Sequence, residues 1–130
     1  MFQQENRLRK IRDFNLVLQQ GRWLNGQFLD IKYVELAKNQ NFFPKKENPE
    51  SFKKQLKLAI SVGLKISKSA VKRNRVKRQI REVLRLLIKE NGLKSGFYIL
   101  IVAKKNTLEK EYAEISQEIK VLLSRGKLLN

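Results

Sequence analysis

Residues 56–62 read Leu-Lys-Leu-Ala-Ile-Ser-Val, and residues 70–82 read Ala-Val-Lys-Arg-Asn-Arg-Val-Lys-Arg-Gln-Ile-Arg-Glu. The first stretch alternates between large apolar residues and polar or small ones, a period of two that predicts a β-strand. The second has no helix breaker and repeats its apolar residues with helical spacing, so it predicts a long helix that is capped by Ser67 and runs to about Glu90. The apolar run Phe97–Ala103 predicts a further strand that is covered on both faces. A strand, a helix and a strand in succession predict that these two strands are parallel.

The remaining elements follow from patterns on either side of this unit. Residues 11–20 predict a first helix, and the β-branched and aromatic residues of Gln27–Leu36 predict a strand, with room for a short strand near Trp23. A final helix with one apolar stripe is predicted to start near Asn106 or Thr107. The predicted order is helix, three strands, helix, strand and helix. This is a two-layer sandwich of the α+β or α/β class, with a mixed sheet of about four strands and three helices.

The charge of the chain restricts its partners. Lys and Arg number 29 against 12 Asp and Glu, which gives a formal charge of +17 and a pI near 10.4. Such a balance favours a nucleic acid or an anionic membrane surface as the partner. The longest apolar run has seven residues, far short of the roughly 20 that span a bilayer, and the N-terminal region has no signal-peptide pattern. We therefore expect a cytoplasmic protein that has a nucleic acid, and no membrane, as its partner.

The chain length and composition fit one folded domain. With 130 residues, of which 42% are hydrophobic and 32% charged, the chain can form a single apolar core. We therefore predict one domain over residues 1–130, and the charge of the chain makes it a nucleic-acid-binding domain. Residues 38–54 hold both prolines and many polar residues, which predicts a long flexible loop.

The basic helix separates on a helical wheel into one apolar side, from Val76 to Leu87, and two cationic sides. The apolar side is expected to pack on the sheet. A solvated charged face is the alternative for the cationic sides, but the run is almost entirely of one sign and few of its members have an acidic partner one turn away. Arg can bond two phosphate oxygens with its planar fork, and the neutral Asn74 can bond a base edge or a sugar hydroxyl. The candidate contacts to a nucleic acid are Lys68, Lys72, Arg73, Asn74, Arg75, Lys77, Arg78, Arg81 and Arg85.

Aromatic and small side chains give a second set of candidates. Most aromatic residues are expected in the core, but Phe14 and Tyr33 are candidates for stacking on unpaired bases in a groove. The small residues Ala59, Ser61 and Gly63 form a strand face without bulk, which leaves room either for a ligand backbone or for a closely packed helix.

The chain lacks the usual equipment for catalysis. It has no histidine and no cysteine, so Ser–His and Cys–His nucleophile systems, disulfides and thiolate zinc sites are excluded. The acids are scattered, and Glu111, Glu114 and Glu118 fit a solvated side of the last helix better than a two-metal site. We expect no catalytic residue and no metal site on the protein.

The basic segment carries a specific resemblance. Residues 67–81 contain Arg73-Asn74-Arg75, an aliphatic residue, a Lys-Arg pair and a further Arg three positions on. This pattern resembles the signature of the bacterial ribonuclease P protein component. The segments Arg7–Phe14 and Asn25–Phe28 resemble the opening segment and the first long strand of that family, and the resemblance covers about residues 7–123.

The resemblance implies a fold and a function. The fold would have a left-handed strand–helix–strand crossover, like ribosomal protein S5 domain 2. The protein would be the small subunit, monomeric within the particle, of a ribonucleoprotein whose RNA is the catalyst. With Mg²⁺ bound to the RNA and no cofactor on the protein, that RNA hydrolyses precursor tRNA to give the mature 5′ end.

The resemblance also implies contacts for the protein. It would bind ribonuclease P RNA, chiefly through the basic helix, and the 5′ leader of precursor tRNA in a groove between the sheet and the first helix. Three departures from the family pattern affect this groove: Leu18 replaces a second aromatic residue, Gly26 replaces an Arg, and Ile31 stands where the strand tyrosine is usual. The residues expected to line the groove are Phe14, Tyr33, Lys57 and Ser61.

Three other classes stay open at this stage. A basic ribosomal protein that binds ribosomal RNA would have a similar charge. A sequence-specific DNA-binding protein is less favoured, because the residues before Ser67 predict a strand and not the first helix of a helix-turn-helix. A free-standing nuclease is opposed by the missing histidines and the scattered acids.

Overall fold

The computed structural model describes residues 3–39 and 48–130, and its centre is a four-stranded mixed sheet. The strands lie in the order β1-β2-β4-β3, with β3 and β4 parallel and the other pairs antiparallel. The predicted mixed sheet, the parallel pair and the short strand at Trp23 are therefore confirmed. The strands are β1 (Arg22–Asn25), β2 (Leu29–Glu35), β3 (Leu56–Ser61) and β4 (Phe97–Ala103).

Four α-helices and three short 3₁₀ helices accompany the sheet in the described residues. The first helix has the predicted bounds, and the helix that carries the basic segment spans 20 residues. The α-helices are α1 (Ile11–Gln20), α2 (Pro49–Lys53), α3 (Ala70–Lys89) and α4 (Tyr112–Arg125). The 3₁₀ helices are Gln4–Asn6, Leu36–Lys38 and Lys105–Glu109.

Helix α3 begins later than the sequence predicts. Its N-cap is Ser69, whose side chain accepts a hydrogen bond from the Lys72 N–H at 3.3 Å. The hydroxyl of Ser67 instead accepts the Ser69 N–H at 3.1 Å, outside the helix. Both serines satisfy backbone donors before the first turn, and sequence spacing alone does not distinguish the two caps.

Helix α4 also begins later, at Tyr112 and not near Asn106 or Thr107. The hydroxyl of Thr107 is buried and donates to the Phe28 and Lys104 carbonyls. These bonds hold the segment in a 3₁₀ helix against the start of β2, and the extended residues that follow it delay α4 by one turn. The predicted start is wrong because a tertiary hydrogen bond overrides the local helical pattern.

The predicted loop at residues 38–54 contains regular structure at its end. Asn48 caps α2 by accepting the Glu50 N–H at 2.8 Å, and Pro49 occupies the first turn, where no N–H is needed. Phe52 is only 1% exposed and fixes this short helix to the sheet. Residues 40–47 of the predicted loop lie outside the described residues.

Apolar side chains cover both faces of the sheet. On one face, α3 and α4 bury the larger cluster, which includes Ile31, Ile99 and Ile119. On the other face, α1 and α2 bury a smaller cluster around Tyr98 and Leu100. The fold is thus the predicted sandwich of a sheet and two long helices, with α1 and α2 added on part of the opposite face. The handedness of the crossover through α3 stays a prediction. No helix within the described residues is long and apolar enough to cross a bilayer.

Candidate nucleic-acid interface

The apolar side of α3 fixes the direction of its cations. The five predicted residues of that side are all buried against the sheet and α4, which confirms the predicted apolar side. Because a 20-residue helix buried along one side cannot rotate, the charged sides are held in a fixed orientation. The five buried residues are Val76, Ile80, Val83, Leu84 and Leu87.

One cationic side of α3 meets the N-terminal segment. The Leu8 N–H donates to the Leu58 carbonyl at 3.0 Å, so this segment runs along the free edge of β3. Leu8 is buried, and its two neighbours, Arg7 and Arg9, line a groove of about 260 Å³ together with two cations of α3. We name this set of four the basic flank: Arg7, Arg9, Lys77 and Arg81.

The basic flank extends the predicted RNA-binding set by two residues. In the sequence, Arg7 and Arg9 stand out only through the resemblance of residues 7–14 to the opening segment of the family. The alternation of Arg7, Leu8 and Arg9 is the local signal that would have found them, since it places one buried residue between two that point outward. Their position beside Lys77 and Arg81 depends on the pairing with β3 and could not be predicted locally.

The other cationic side of α3 faces away from the sheet. Arg75 donates to the Leu108 carbonyl at 2.6 Å, and the half-buried Arg73 donates to the Ser67 carbonyl at 2.7 Å. Each guanidinium has five N–H donors, so one such bond orients the side chain and leaves donors for a ligand. We name the exposed members of this side, together with Lys68 just before the helix, the outer face of α3: Lys68, Lys72, Asn74, Arg75 and Arg78.

Arg85 differs from the other predicted contacts because an acid neutralises it. Its guanidinium donates two hydrogen bonds to the Glu82 carboxylate, at 2.6 and 2.9 Å. These bonds lower the pKa of Glu82 and raise the pKa of Arg85. No ion pair between Arg78 and another described residue is present. On the same helix, the charge of Arg85 is therefore compensated by an acid, whereas the charge of Arg78 is not compensated by any described residue.

The sheet face beneath α1 is covered at one end and open at the other. Residues directly opposite one another on neighbouring strands share a face. The row Val34, Tyr98 and Lys57 lies at the covered end, where Val34 and Tyr98 are buried. Four residues further along these strands, every residue of the corresponding row on the same face is exposed or half-buried. We name this row the open strip: Asn25, Asp30, Val102 and Ser61.

One of the four predicted groove residues lies in the open strip, and a second packs against the apolar cluster on the same face. Ser61 belongs to the open strip, and Phe14 is half-buried against the same apolar cluster as Val102. Lys57 is on the same face but at the covered end, where its ammonium lies 3.9 Å from the buried Asp13 carboxylate. Its side chain is only 18% exposed, and its Nζ lies 6.0 Å from the centre of the Tyr98 ring.

The placement of Tyr33 in this groove is wrong. Tyr33 is opposite Ile99 on β4, so it belongs to the face covered by α3 and α4. Its ring centre lies 6.1 Å from that of Phe97 on the same face. Tyr33 and Phe14 are therefore on opposite faces of the sheet. Alternation along β2 shows which residues share a face, but it does not show which helix covers that face.

Trp23 is an aromatic residue that the groove prediction missed. It is opposite Lys32 in the row next to the open strip, on the face of α1, and is 48% exposed. The Lys32 Nζ lies 5.1 Å from the centre of the Trp23 ring and donates to the Leu18 carbonyl at 2.7 Å. An exposed indole with a cation beside it is a suitable stacking surface for an unpaired base.

Comparison with known proteins identifies the family. The model of the ribonuclease P family matches residues 2–127. The chain belongs to the ribonuclease P protein family. The ribonuclease P protein component of Cyanothece sp. is 35% identical over 125 residues, which are 95% of this chain and 94% of the relative. The corresponding protein of a Synechococcus strain is 36% identical over 124 residues, 95% of this chain and 84% of the relative.

Solved structures agree with the fold. The Staphylococcus aureus RNase P protein has a TM-score of 0.73 and 22% identity, and the match covers 96% of this chain and 98% of that one. The RNase P protein from Thermotoga maritima has a TM-score of 0.69 and 24% identity, with 92% and 96% covered. The mixed four-stranded sheet with its helices is thus the fold of ribonuclease P proteins.

Membership of the ribonuclease P protein family decides among the earlier alternatives. The basic helix is therefore that of a ribonuclease P protein and not that of a ribosomal protein. The helix-turn-helix is contradicted by the structure, since the element before α3 is the strand β3. Within the described part of the chain, no group of three or more His, Cys, Asp or Glu residues could hold a metal ion.

Proposed function

We propose that this protein binds the catalytic RNA of ribonuclease P through α3 and the 5′ leader of precursor tRNA along the open strip. In this way it assists the RNA-catalysed, Mg²⁺-dependent removal of the leader that gives the mature tRNA 5′ end. The observation that carries the proposal is the fixed helix α3, whose cations are held outward and mostly have no acidic partner among the described residues. The protein would act as a cytoplasmic monomer within the ribonucleoprotein, and the Mg²⁺ ions would belong to the RNA.

The charge of α3 supports the contact with the catalytic RNA. Between Lys68 and Arg85 the chain has eight Lys and Arg residues and one acid, Glu82. Such a density is self-repulsive in the free protein and becomes favourable when phosphates replace the counterions around it. The basic flank adds Arg7 and Arg9 to the same region, so the cationic surface continues from α3 onto the edge of β3.

The open strip supports the contact with a single strand. It crosses four strands, and three spacings of about 4.8 Å give it a length of about 14 Å. Its one acid, Asp30, is compensated, because the Lys104 Nζ lies 3.2 Å from the carboxylate. Phe14, which is half-buried on α1, and Trp23 in the neighbouring row offer aromatic surfaces for unpaired bases. A short, nearly neutral floor between aromatic and cationic side chains suits an unpaired leader better than a duplex.

Reconstitution tests the proposal. The purified protein, a bacterial ribonuclease P RNA and a precursor tRNA are combined at a magnesium concentration too low for the RNA to act alone. We expect the protein to restore cleavage at the mature 5′ end, and we expect no cleavage when the RNA is left out. Cleavage by the protein without the RNA, or no stimulation in its presence, would contradict the proposal.

A further inference from the structure

A second concave region lies at the end of the sheet away from the N-terminus of α3. Helix α3 follows the end of β3 and precedes the start of β4, so its N-terminus lies at the Ser61 end and its C-terminus at the Phe97 end. At the Phe97 end, residues from α1, β1, β2 and the C-terminal segment enclose a cavity of about 740 Å³. We name it the distal cavity. Neither the resemblance nor the proposed function uses it.

Cations from four separate segments line the distal cavity. They are Arg22, Lys38, Lys94 and Lys127, and the only acid among the described lining residues is Glu35. The Glu35 carboxylate lies 3.1 Å from the Lys38 Nζ, so these two charges compensate each other. The other three cations form no ion pair with any residue that the structure describes. The cavity thus carries uncompensated positive charge in a concave surface, which concentrates anions.

Two of these lysines are held on a rigid support. The Lys94 N–H donates to the Leu128 carbonyl at 2.9 Å, and Leu93 and Leu129 form an isolated antiparallel bridge. This pairing ties the loop before β4 to the end of the chain, so Lys94 and Lys127 approach the cavity from a fixed backbone. A ligand that contacts both lysines would therefore bind without the free-energy cost of ordering this backbone.

Lys127 occupies a backbone position that favours glycine. Its φ is 60°, in the left-handed region, and it follows the end of α4. The Lys127 N–H donates to the Ser124 carbonyl at 3.0 Å, and the Leu128 N–H donates to the Leu123 carbonyl at 2.8 Å. These are the hydrogen bonds of a helix end whose left-handed residue is most often glycine. The lysine side chain is therefore not what the fold requires at this position.

Tyr33 gives the distal cavity an aromatic wall. It is half-buried, it lines the cavity together with Phe97, and the two rings are inclined by 57°. A ring that is partly exposed beside uncompensated cations can stack on an unpaired base while the cations bind the adjoining phosphates. Tyr33 thus lines a concave surface other than the groove that was predicted for it.

We propose that the distal cavity is a second RNA-binding site, which takes an unpaired nucleotide against Tyr33 and its flanking phosphates on Arg22, Lys94 and Lys127. The proposal rests on the proposed function, since it supposes that the protein acts within a ribonucleoprotein. The ligand chemistry is the same whether the nucleotide belongs to the catalytic RNA or to precursor tRNA. The two sources are separated by measuring each interaction alone.

The decisive variant is Lys127→Gly. It removes one charge and places glycine where the backbone favours it, so the melting temperature should stay the same or rise. The matched control is Lys120→Ala on α4, which removes one charge from an exposed position outside the cavity. Both variants have the same net charge, so any difference between them is local.

Two binding arms are measured between 50 and 200 mM monovalent salt: the protein with catalytic RNA, and precursor tRNA with the assembled particle. In one arm, Lys127→Gly should flatten the slope of log affinity against log salt by about 0.7–0.9. Over this salt range, the affinity of the variant would therefore fall about threefold less than that of the unmodified protein. Lys120→Ala should leave both slopes unchanged. Tyr33→Leu should weaken the same arm without changing its slope.

Equal slopes for Lys127→Gly and Lys120→Ala in both arms would overturn the second site. The variant Arg78→Ala on α3 shows whether only the second site fails or whether the proposed function fails as well. If Arg78→Ala flattens the slope for catalytic RNA while Lys127→Gly changes neither arm, only the distal cavity is refuted. If Arg78→Ala also has no effect, the proposed role of α3 fails as well.

Discussion

Replacing Arg78 by alanine should flatten the salt dependence of binding to catalytic RNA, whereas replacing Arg85 should have much less effect. Both arginines are on α3 and were predicted RNA contacts. Arg85 is already bonded to Glu82 at 2.6 and 2.9 Å, while Arg78 has no such partner among the described residues. A cation that is already paired with a carboxylate neutralises little phosphate charge, so its replacement hardly changes the number of counterions that are released when the RNA binds.

The magnitude follows from the number of phosphates neutralised. Loss of one phosphate contact changes the slope of log affinity against log salt by about 0.7–0.9. Over a fourfold rise in salt, from 50 to 200 mM, the affinity of Arg78→Ala should therefore fall about threefold less than that of the unmodified protein. Arg85→Ala should differ from the unmodified protein by much less than this factor.

A third variant should change the salt slope in the opposite direction. Glu82→Gln keeps the shape of the side chain, removes the acid and leaves Arg85 with its full charge. We expect the slope to become steeper than that of the unmodified protein, by up to the amount that Arg78→Ala removes. All three positions are exposed or half-buried, so the free energy of unfolding should change by less than about 0.5 kcal/mol.

The assay is a fluorescence anisotropy titration of labelled catalytic RNA at several salt concentrations and constant magnesium. The reasoning is refuted if Arg78→Ala and Arg85→Ala flatten the slope equally. It is also refuted if Glu82→Gln leaves the slope unchanged, because the Glu82–Arg85 pair would then not control the availability of Arg85.

Three further predictions follow from other parts of the structure. Trp23 is the only tryptophan, so its fluorescence should change when a leader oligonucleotide binds the open strip and should not change with a catalytic RNA alone; the opposite pattern would place the leader elsewhere. Arg9→Ala should flatten the salt slope for catalytic RNA by about 0.7–0.9, as for one contact of α3, and an unchanged slope would remove Arg9 from the interface. Ser69→Ala removes the N-cap of α3 and should cost about 1 kcal/mol, seen as a melting temperature lower by roughly 3–5 °C; no shift would mean that the cap bond contributes nothing.

Local patterns predicted the elements that local physics determines. The bounds of α1 and β4 were predicted because periodicity, a stop residue and an apolar run lie within each segment. The starts of α3 and α4 were not, because Ser69 and Thr107 act through hydrogen bonds that the sequence does not reveal. Helix α2 was missed because Phe52 stabilises it through burial against distant residues.

The site was predicted to the extent that it lies on a single element. The predicted contacts on α3 could be assigned to two sides because their direction follows from the buried side of one helix, whereas Lys89 in its last turn was not among them. Arg7 and Arg9 were not, because they join the site only through pairing of the N-terminal segment with β3. Tyr33 was placed on the wrong side of the sheet because alternation gives two faces and leaves their coverage undetermined.

The two surfaces of the proposed function meet at β3. Ala59 lines the groove of the basic flank and is also in the row next to the open strip, so no bulky side chain separates the two surfaces there. A leader in the open strip would lie beside catalytic RNA bound on the basic flank. Mature tRNA lacks the leader and would give up only the contacts of the open strip. If the leader and the catalytic RNA bind as proposed, the particle would favour precursor over product through contacts that lie next to those that hold the catalytic RNA.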